Sequence, residues 1–419
     1  MEYLARGNKS MIEYQQFTLD NGLKVIVHED HDLPKAVVNL IYRVGSKDEA
    51  PERTGFAHLF EHLMFRGSIN IPEYDSALQR VGGANNAFTS ADITNYYISL
   101  PSNQLETAFW LESDRMLGLD FTEENLEAEK SVVIEEYKQR YLNQPYGNAF
   151  LELRPLHYQV HPYQWMPIGK DISHIAEASM QDVQDFFYSF YAPNNATLVV
   201  AGDVGLEQVK QLSQKWFGEI PSRKLGKSVL PQEPTQKVAR KKTISGKVPF
   251  PAVYRLYHTP AYGEREFFVT DLITDLLASG KSSLFYQHLV RGMELSPSVN
   301  AYVIPMHDPG SLAIVGQIAE GKTVAEFERG LDQTIDKLFA LTEEDLERIK
   351  AKLAASYTMQ QTTILNRAIG LAMSDAVGDL ELVNKMISIY QSLSLEEVKS
   401  VAKKILAPSN CSTLYYEVE

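Results

Sequence analysis

Two kinds of hydrophobic pattern alternate along the chain. In FTLDNGLKVIVHEDHDLPKAVVNLIYRVGS, the stretches LKVIVHE and AVVNLIYRV are rich in Val and Ile, and Asn21-Gly22 and Leu33-Pro34 punctuate them. They read as two strands. Past Pro51 the spacing changes, and Phe56, Leu59, Phe60, Leu63 and Met64 recur at helical intervals. Further helices are expected at Tyr74–Val81 and Leu105–Leu117, with a strand, ITNYYISL, between them. A charged helix comes next, from Thr122 to about Arg140. Strands alternating with helices predict an α+β fold in layers.

The pattern also repeats. TEENLEAEKSVVIEEY starts at Thr122 and TEEDLERIKAKLAASY at Thr342, and SMQDVQDFFYSFYAPNNATLVV from Ser179 matches SLEEVKSVAKKILAPSNCSTLYY from Ser394. Two long matches in one order, at nearly constant offset, indicate an internal duplication. The expected division is a domain over 1–222, a polar, Pro-bearing linker over 223–244, and a homologous domain over 245–419.

The first helix carries His58-Leu59-Phe60-Glu61-His62. Positions 58 and 62 lie about 40° apart around a helix, with position 61 on the same side. Two imidazoles one turn apart can hold one metal ion, and a carboxylate there reaches a metal-held water. Such histidine pairs also occur on solvated helix faces. Here they sit within apolar AHLFEHLMF, where unpartnered imidazoles would be costly to bury. Catalytic zinc takes three protein ligands, and Glu129 and Glu136, seven apart, share a face of the next charged helix. In the second copy they become Ile349 and Ser356, and the expected counterpart of the histidine helix, LLASGKSSLF near Ala278–Ser282, has neither His nor Glu. A scaffold kept without these residues marks them as functional rather than structural.

Composition narrows the alternatives. Forty basic against 54 acidic residues give a net charge of -14, which argues against nucleic-acid binding. A single cysteine, Cys411, excludes an internal disulfide and a thiolate-rich metal site, and it reads as a small buried residue. No apolar run approaches the length of a membrane span. MEYLARGNKSMIEYQQF lacks an apolar secretory core, so a cytoplasmic location is expected, or a periplasmic one if a leader was removed. His157 and His161 read as packing or surface residues, and His28 and His31 as solvated flanks of an acidic turn.

At the HLFEH segment the chain resembles the pitrilysin/insulinase superfamily of zinc peptidases, in its short two-domain form that includes the mitochondrial processing peptidases. The resemblance also rests on NGLKVIV, GGANNAFTSADITNYY, EKSVVIEEY and APNNATLVVAGD, with 73 residues between His62 and Glu136. HxxEH inverts the more familiar order of zinc-peptidase helices. The resemblance implies one zinc ion per chain held by His58, His62 and Glu136, Glu61 as general base, and Glu129 as a supporting carboxylate. It further implies that Asn85, Asn86, Ala87, Phe88 and Thr89 form an edge strand that takes the substrate backbone, and that the chain forms half of a clamshell chamber. The implied activity is endopeptidase cleavage of extended peptides or unfolded polypeptides.

One departure stands out. The family pairs an Arg with a Tyr seven residues later to hold the substrate carbonyl; here Arg291 is present, but Ser298 takes the Tyr position, with Tyr302 four residues beyond. Either a related subunit without its own zinc supplies the pair in a heterodimer, or the chain works as a homodimer with a modified contact. A non-catalytic scaffolding role is the alternative from another class; it predicts an eroded HxxEH, which this chain keeps.

Overall fold

The computed structural model describes residues 11–226 and 230–419. The N-terminal stretch read for a secretory signal lies largely outside them, as do residues 227–229 of the expected linker. Among the described residues, eleven strands form two sheets. The first contains β1 (Gln15–Thr18), β2 (Lys24–Glu29), β3 (Lys35–Tyr42), β4 (Ala84–Thr89), β5 (Thr94–Pro101) and β6 (Ala196–Gly202). Its order is β1-β2-β6-β3-β5-β4. The second contains β7 (Arg240–Gly246), β8 (Ala252–His258), β9 (Val299–Ile304), β10 (Ser311–Gln317) and β11 (Cys411–Val418), in the order β7-β11-β8-β10-β9. In each sheet a single parallel pair, β2 with β6 and β7 with β11, sits among antiparallel ones. Apart from the extra edge strand β1, the two sheets have one topology, as the duplication predicts.

Register fixes the equivalence residue by residue. The APNNA and APSNC repeats align Ala196 with Cys411. Ala196 lies opposite Tyr42, and Cys411 opposite Tyr257. Tyr42 in turn faces Thr94, which faces Thr89, whereas Tyr257 faces Leu312, which faces Val303. Thr89 and Val303 are therefore counterparts, and β4 and β9 are corresponding edge strands.

Five helices bear on the candidate site and the two cores: α1 (Phe56–Leu63), α2 (Glu123–Tyr137), α3 (Ala149–His157), α4 (Arg265–Ala278) and α5 (Ile364–Ala376). The chain divides into two compact units: unit 1 comprises Met1–Glu135, Pro167–Leu230 and Thr358–Lys385, and unit 2 the remainder. This differs from the contiguous division expected over 1–222 and 245–419. The sheets match the two halves of the sequence, but α3 and α5 are exchanged.

In unit 1, α5 lays Ala368, Leu371 and Ala372 on a face built from Ile26, Val37, Ile41, Val199 and Ala201. Strand β6, ATLVVAG, is buried throughout, so it reads as a continuous apolar run. Asp375 anchors the helix, accepting from Lys24 Nζ and Arg43 Nη2 at 2.5 Å and from Thr197 Oγ1 at 2.7 Å. In unit 2, α3 likewise sets Ala149 and Leu153 against Leu256, Ala313 and Leu414. Helix α4 packs on β9 and carries no histidine. The counterpart of the histidine helix therefore starts earlier than the expected Ala278–Ser282.

Several single-residue expectations can be compared directly. Cys411 is buried, as expected. His157 and His161 are buried packing residues. His31 is exposed, but His28 is not solvated: it lies 6% exposed on β2, its Nδ1 2.6 Å from the Glu13 carbonyl. Among the described residues no helix is long and apolar enough to cross a membrane.

Candidate metal centre

Helix α1 has only eight residues, and its start is built from outside the helix. Gly55 precedes it with φ of +94°, where a Cβ would meet the Ile168 carbonyl oxygen at 2.9 Å. The buried Glu49 carboxylate accepts from the Gly55 and Ala57 N–H groups, both at 2.9 Å, satisfying donors that every helix start leaves open. Phe56, Ala57, Leu59, Phe60 and Leu63 are buried, with Phe60 stacked on Phe186 and Tyr191. His58, Glu61 and His62 fall on the opposite, half-exposed face. The histidine helix is thus amphipathic rather than wholly buried.

The two imidazoles stand edge to face with centroids 4.9 Å apart. Helix α2 brings Glu136 to them, and one ligand atom each from His58, His62 and Glu136 lies within 4.8 Å of the others. The donors of one tetrahedral zinc ion sit about 3.3 Å apart, so small side-chain rotations would close this set on a metal. Two imidazoles and a carboxylate without a thiolate form a donor set suited to zinc.

Each member of the cluster has a partner. His62 Nδ1 lies 3.3 Å from Glu129 Oε2, and Arg66 Nε donates to the other Glu129 oxygen. Burial acts to raise the Glu129 pKa, but hydrogen bonds from His62 and Arg66 outweigh it and hold the carboxyl below its ordinary range. Seven residues on, Glu136 Oε1 pairs with Arg140 at 2.7 Å. Glu61 Oε2 accepts from Thr89 Oγ1 at 2.6 Å and lies 3.5 Å from His58 Nδ1. Burial pushes the Glu61 carboxyl up, and the contacts from His58 and Thr89 bring it net below its usual value. It is ionised at neutral pH and able to accept a proton.

Thr89 closes the edge strand β4. The Ala87 N–H donates to Asn86 Oδ1 rather than to β5, so it points off the sheet edge. By the two-residue alternation of a strand, the backbone groups of Asn85, Ala87 and Thr89 face outward. Phe88 packs instead on the sheet face covered by α5, and Asn85 Nδ2 donates to Asp75 at 2.8 Å. Arg291 and Ser298 belong to unit 2, and both are exposed, Arg291 just after the turn Tyr286–Val290 and Ser298 just before β9. Two cations of the cluster, Arg66 and Arg140, go unnamed by the sequence patterns. Arg140 sits four residues after Glu136, a spacing that signals an ion pair on a helix face; Arg66 lies past the end of α1, where helical spacing gives no signal.

A family model described as Insulinase (Peptidase family M16) matches residues 24–154, and a second, Peptidase M16 inactive domain, matches residues 177–353. The chain belongs to the M16 family. Within this M16 chain His58, Glu61, His62, Glu129 and Glu136 all fall inside the first match, while the inactive-domain match falls mostly on the copy that lacks them. An M16 relative, the zinc protease PqqE of Helicobacter pylori, is 29% identical over 355 residues, 82% of this chain and 79% of the relative. The crystal structure of a protease from Helicobacter pylori is similar with a TM-score of 0.91 at 26% identity, over 97% of this chain and 100% of that one. That of a peptidase M16 inactive domain from Pseudomonas fluorescens shares the fold, with a TM-score of 0.88 at 18% identity over 97% of this chain and 98% of that one.

Proposed function

We propose that this M16 chain is a zinc metalloendopeptidase that hydrolyses peptide bonds in extended peptides or unfolded polypeptides. The observation that carries the reading is the convergence of His58, His62 and Glu136 within 4.8 Å, with Glu61 on the same helix face. Relatives named zinc proteases support it.

His58, His62 and Glu136 would hold the ion. Zinc, when bound, supplies Lewis acidity toward a water molecule and the substrate carbonyl. The remaining steps are carried by side chains. Glu61 accepts the proton of the attacking water and returns it to the leaving amine nitrogen. Glu129 holds His62 through Nδ1 and sets the ring's orientation, so that Nε2 would be the nitrogen to hold the ion. The outward backbone groups of β4 pair with an extended substrate as an added strand, a mode that folded segments cannot satisfy. A related subunit without its own zinc supplies the complete Arg and Tyr pair for the substrate carbonyl in a heterodimer; a homodimer, in which Arg291 makes that contact with Ser298 in place of the Tyr, is the alternative.

The test is cleavage of a quenched fluorescent peptide, with and without a chelator. Turnover is expected to stop on chelation and return with zinc, and Glu61→Gln to lower it by about 10²–10⁴-fold while zinc stays bound. A Glu61→Gln variant as active as the parent would overturn the assignment. Turnover by the purified chain alone would overturn the need for a companion subunit and favour a self-sufficient homo-oligomer, and turnover only with a companion chain would support the heterodimer.

A further inference from the structure

We infer that Thr89 is a positioning residue for the general base: its hydroxyl fixes one oxygen of Glu61 so that the other faces the attacking water. The inference rests on the peptidase reading and adds a role that neither the motif nor the strand assigns. Thr89 Oγ1 donates to Glu61 Oε2 at 2.6 Å, and His58 Nδ1 lies 3.5 Å from the same oxygen. Both of these contacts to the carboxylate fall on Oε2. With that oxygen held, rotation of the terminal carboxylate torsion, otherwise broad, is restricted, and Oε1 is the oxygen left to take the proton.

The duplication provides an internal control. Strand registers make Val303 the counterpart of Thr89, and the flanking residues agree: Asn86-Ala87-Phe88 matches Asn300-Ala301-Tyr302. The copy that lost the histidines and the glutamates thus kept the Asn-Ala-aromatic edge strand. At the next position it exchanged the hydroxyl for a methyl group of nearly the same shape. A threonine kept for strand packing would have no reason to track the presence of the base. The hydroxyl therefore belongs to the chemistry of the first copy.

The geometry also joins two functions in one strand. Thr89 is the last residue of β4, the edge offered to the substrate backbone, and its side chain holds the base. A peptide seated along β4 braces the residue that aims Glu61, so productive strand pairing and base orientation are linked.

The experiment compares Thr89→Val and Thr89→Ser with the parent, in whatever subunit composition the parent turns over. Thr89→Val reproduces the second copy's choice and keeps the β-branched shape, so the strand should fold. The expected result is a fall in kcat of about 10–100-fold, the loss of a hydrogen bond to a charged group, with KM changed less than about twofold. Zinc stoichiometry and Tm should be unchanged, and Thr89→Ser should recover most of the rate. Parental kcat in Thr89→Val, or a loss that Thr89→Ser does not rescue, would overturn the inference while leaving the peptidase reading intact. A parent protein without turnover under any composition would instead remove the reading on which it rests.

Discussion

His157 and His258 stack face to face in unit 2, ring centroids 3.6 Å apart. Burial drives the His157 pKa well below its ordinary value, with the His258 ring and Arg240 adding to the effect, and burial takes His258 down to about 4 against the opposing pull of Glu233. Both rings are neutral in the folded protein and would titrate near 6.5 when unfolded. Their contribution to stability is therefore complete above pH 6.5 and is lost as pH falls toward 4. For His258 the full shift corresponds to about 3 kcal/mol. Tm should fall between pH 7.5 and pH 5, and His258→Phe, which keeps a stacked ring without a proton site, should flatten that fall. An unchanged pH profile in the variant would place the titrating groups elsewhere. His157 reads from sequence as a packing or surface residue, and packing is what it does. Its stacking on His258 is not legible, because 101 residues (258 minus 157) separate the two rings. His28 departs from its expected solvation for a related reason: an acidic turn flanks it in sequence, but the side chain turns inward along β2.

At the level of elements, helix α5 is the clearest case of a local pattern whose partner is remote. Its Asp375 is 5% exposed in its side chain and receives Lys24, Arg43 and Thr197. Removing the charge leaves two cations facing each other across a neutral group. Asp375→Asn should destabilise by about 2–3 kcal/mol, less than a fully buried network because Lys24 and Arg43 are each about a third exposed. Urea unfolding monitored by circular dichroism reads this as a lower midpoint at unchanged slope; an unshifted midpoint would show that the ion pairs add nothing. Periodicity shows that such helices exist and that each has an apolar face. It carries no information about which sheet covers that face. The glutamate helix α2 is more legible, since Glu129 and Glu136 address the histidines from one face of a single helix, and its altered copy at Thr342–Tyr357 exposes the difference. Glu49, which caps α1 from six residues upstream of Gly55, leaves no motif.

For the whole molecule, the duplication predicts two sheets of one topology, and it does so because each half repeats the same strand and helix pattern. The exchange of α3 and α5 makes the halves interdependent. A fragment ending near residue 222 lacks α5 and should leave Ile26, Val37, Ile41, Val199 and Ala201 bare on one sheet face. Such a fragment should aggregate or bind a hydrophobic dye, and co-expression with the remaining chain should restore a soluble complex. A fragment that is monomeric and melts cooperatively alone would contradict this. The same exchange sets a schedule for biosynthesis. The first sheet is complete at Gly202, but the helix that covers it ends at Ala376, 174 residues later (376 minus 202). At about 5–20 residues per second, a nascent chain waits roughly 10–35 s with an apolar sheet face uncovered. Ribosome-associated chaperones should find their target in that interval, on the strands from Lys24 to Gly202, and release it only when translation is nearly finished.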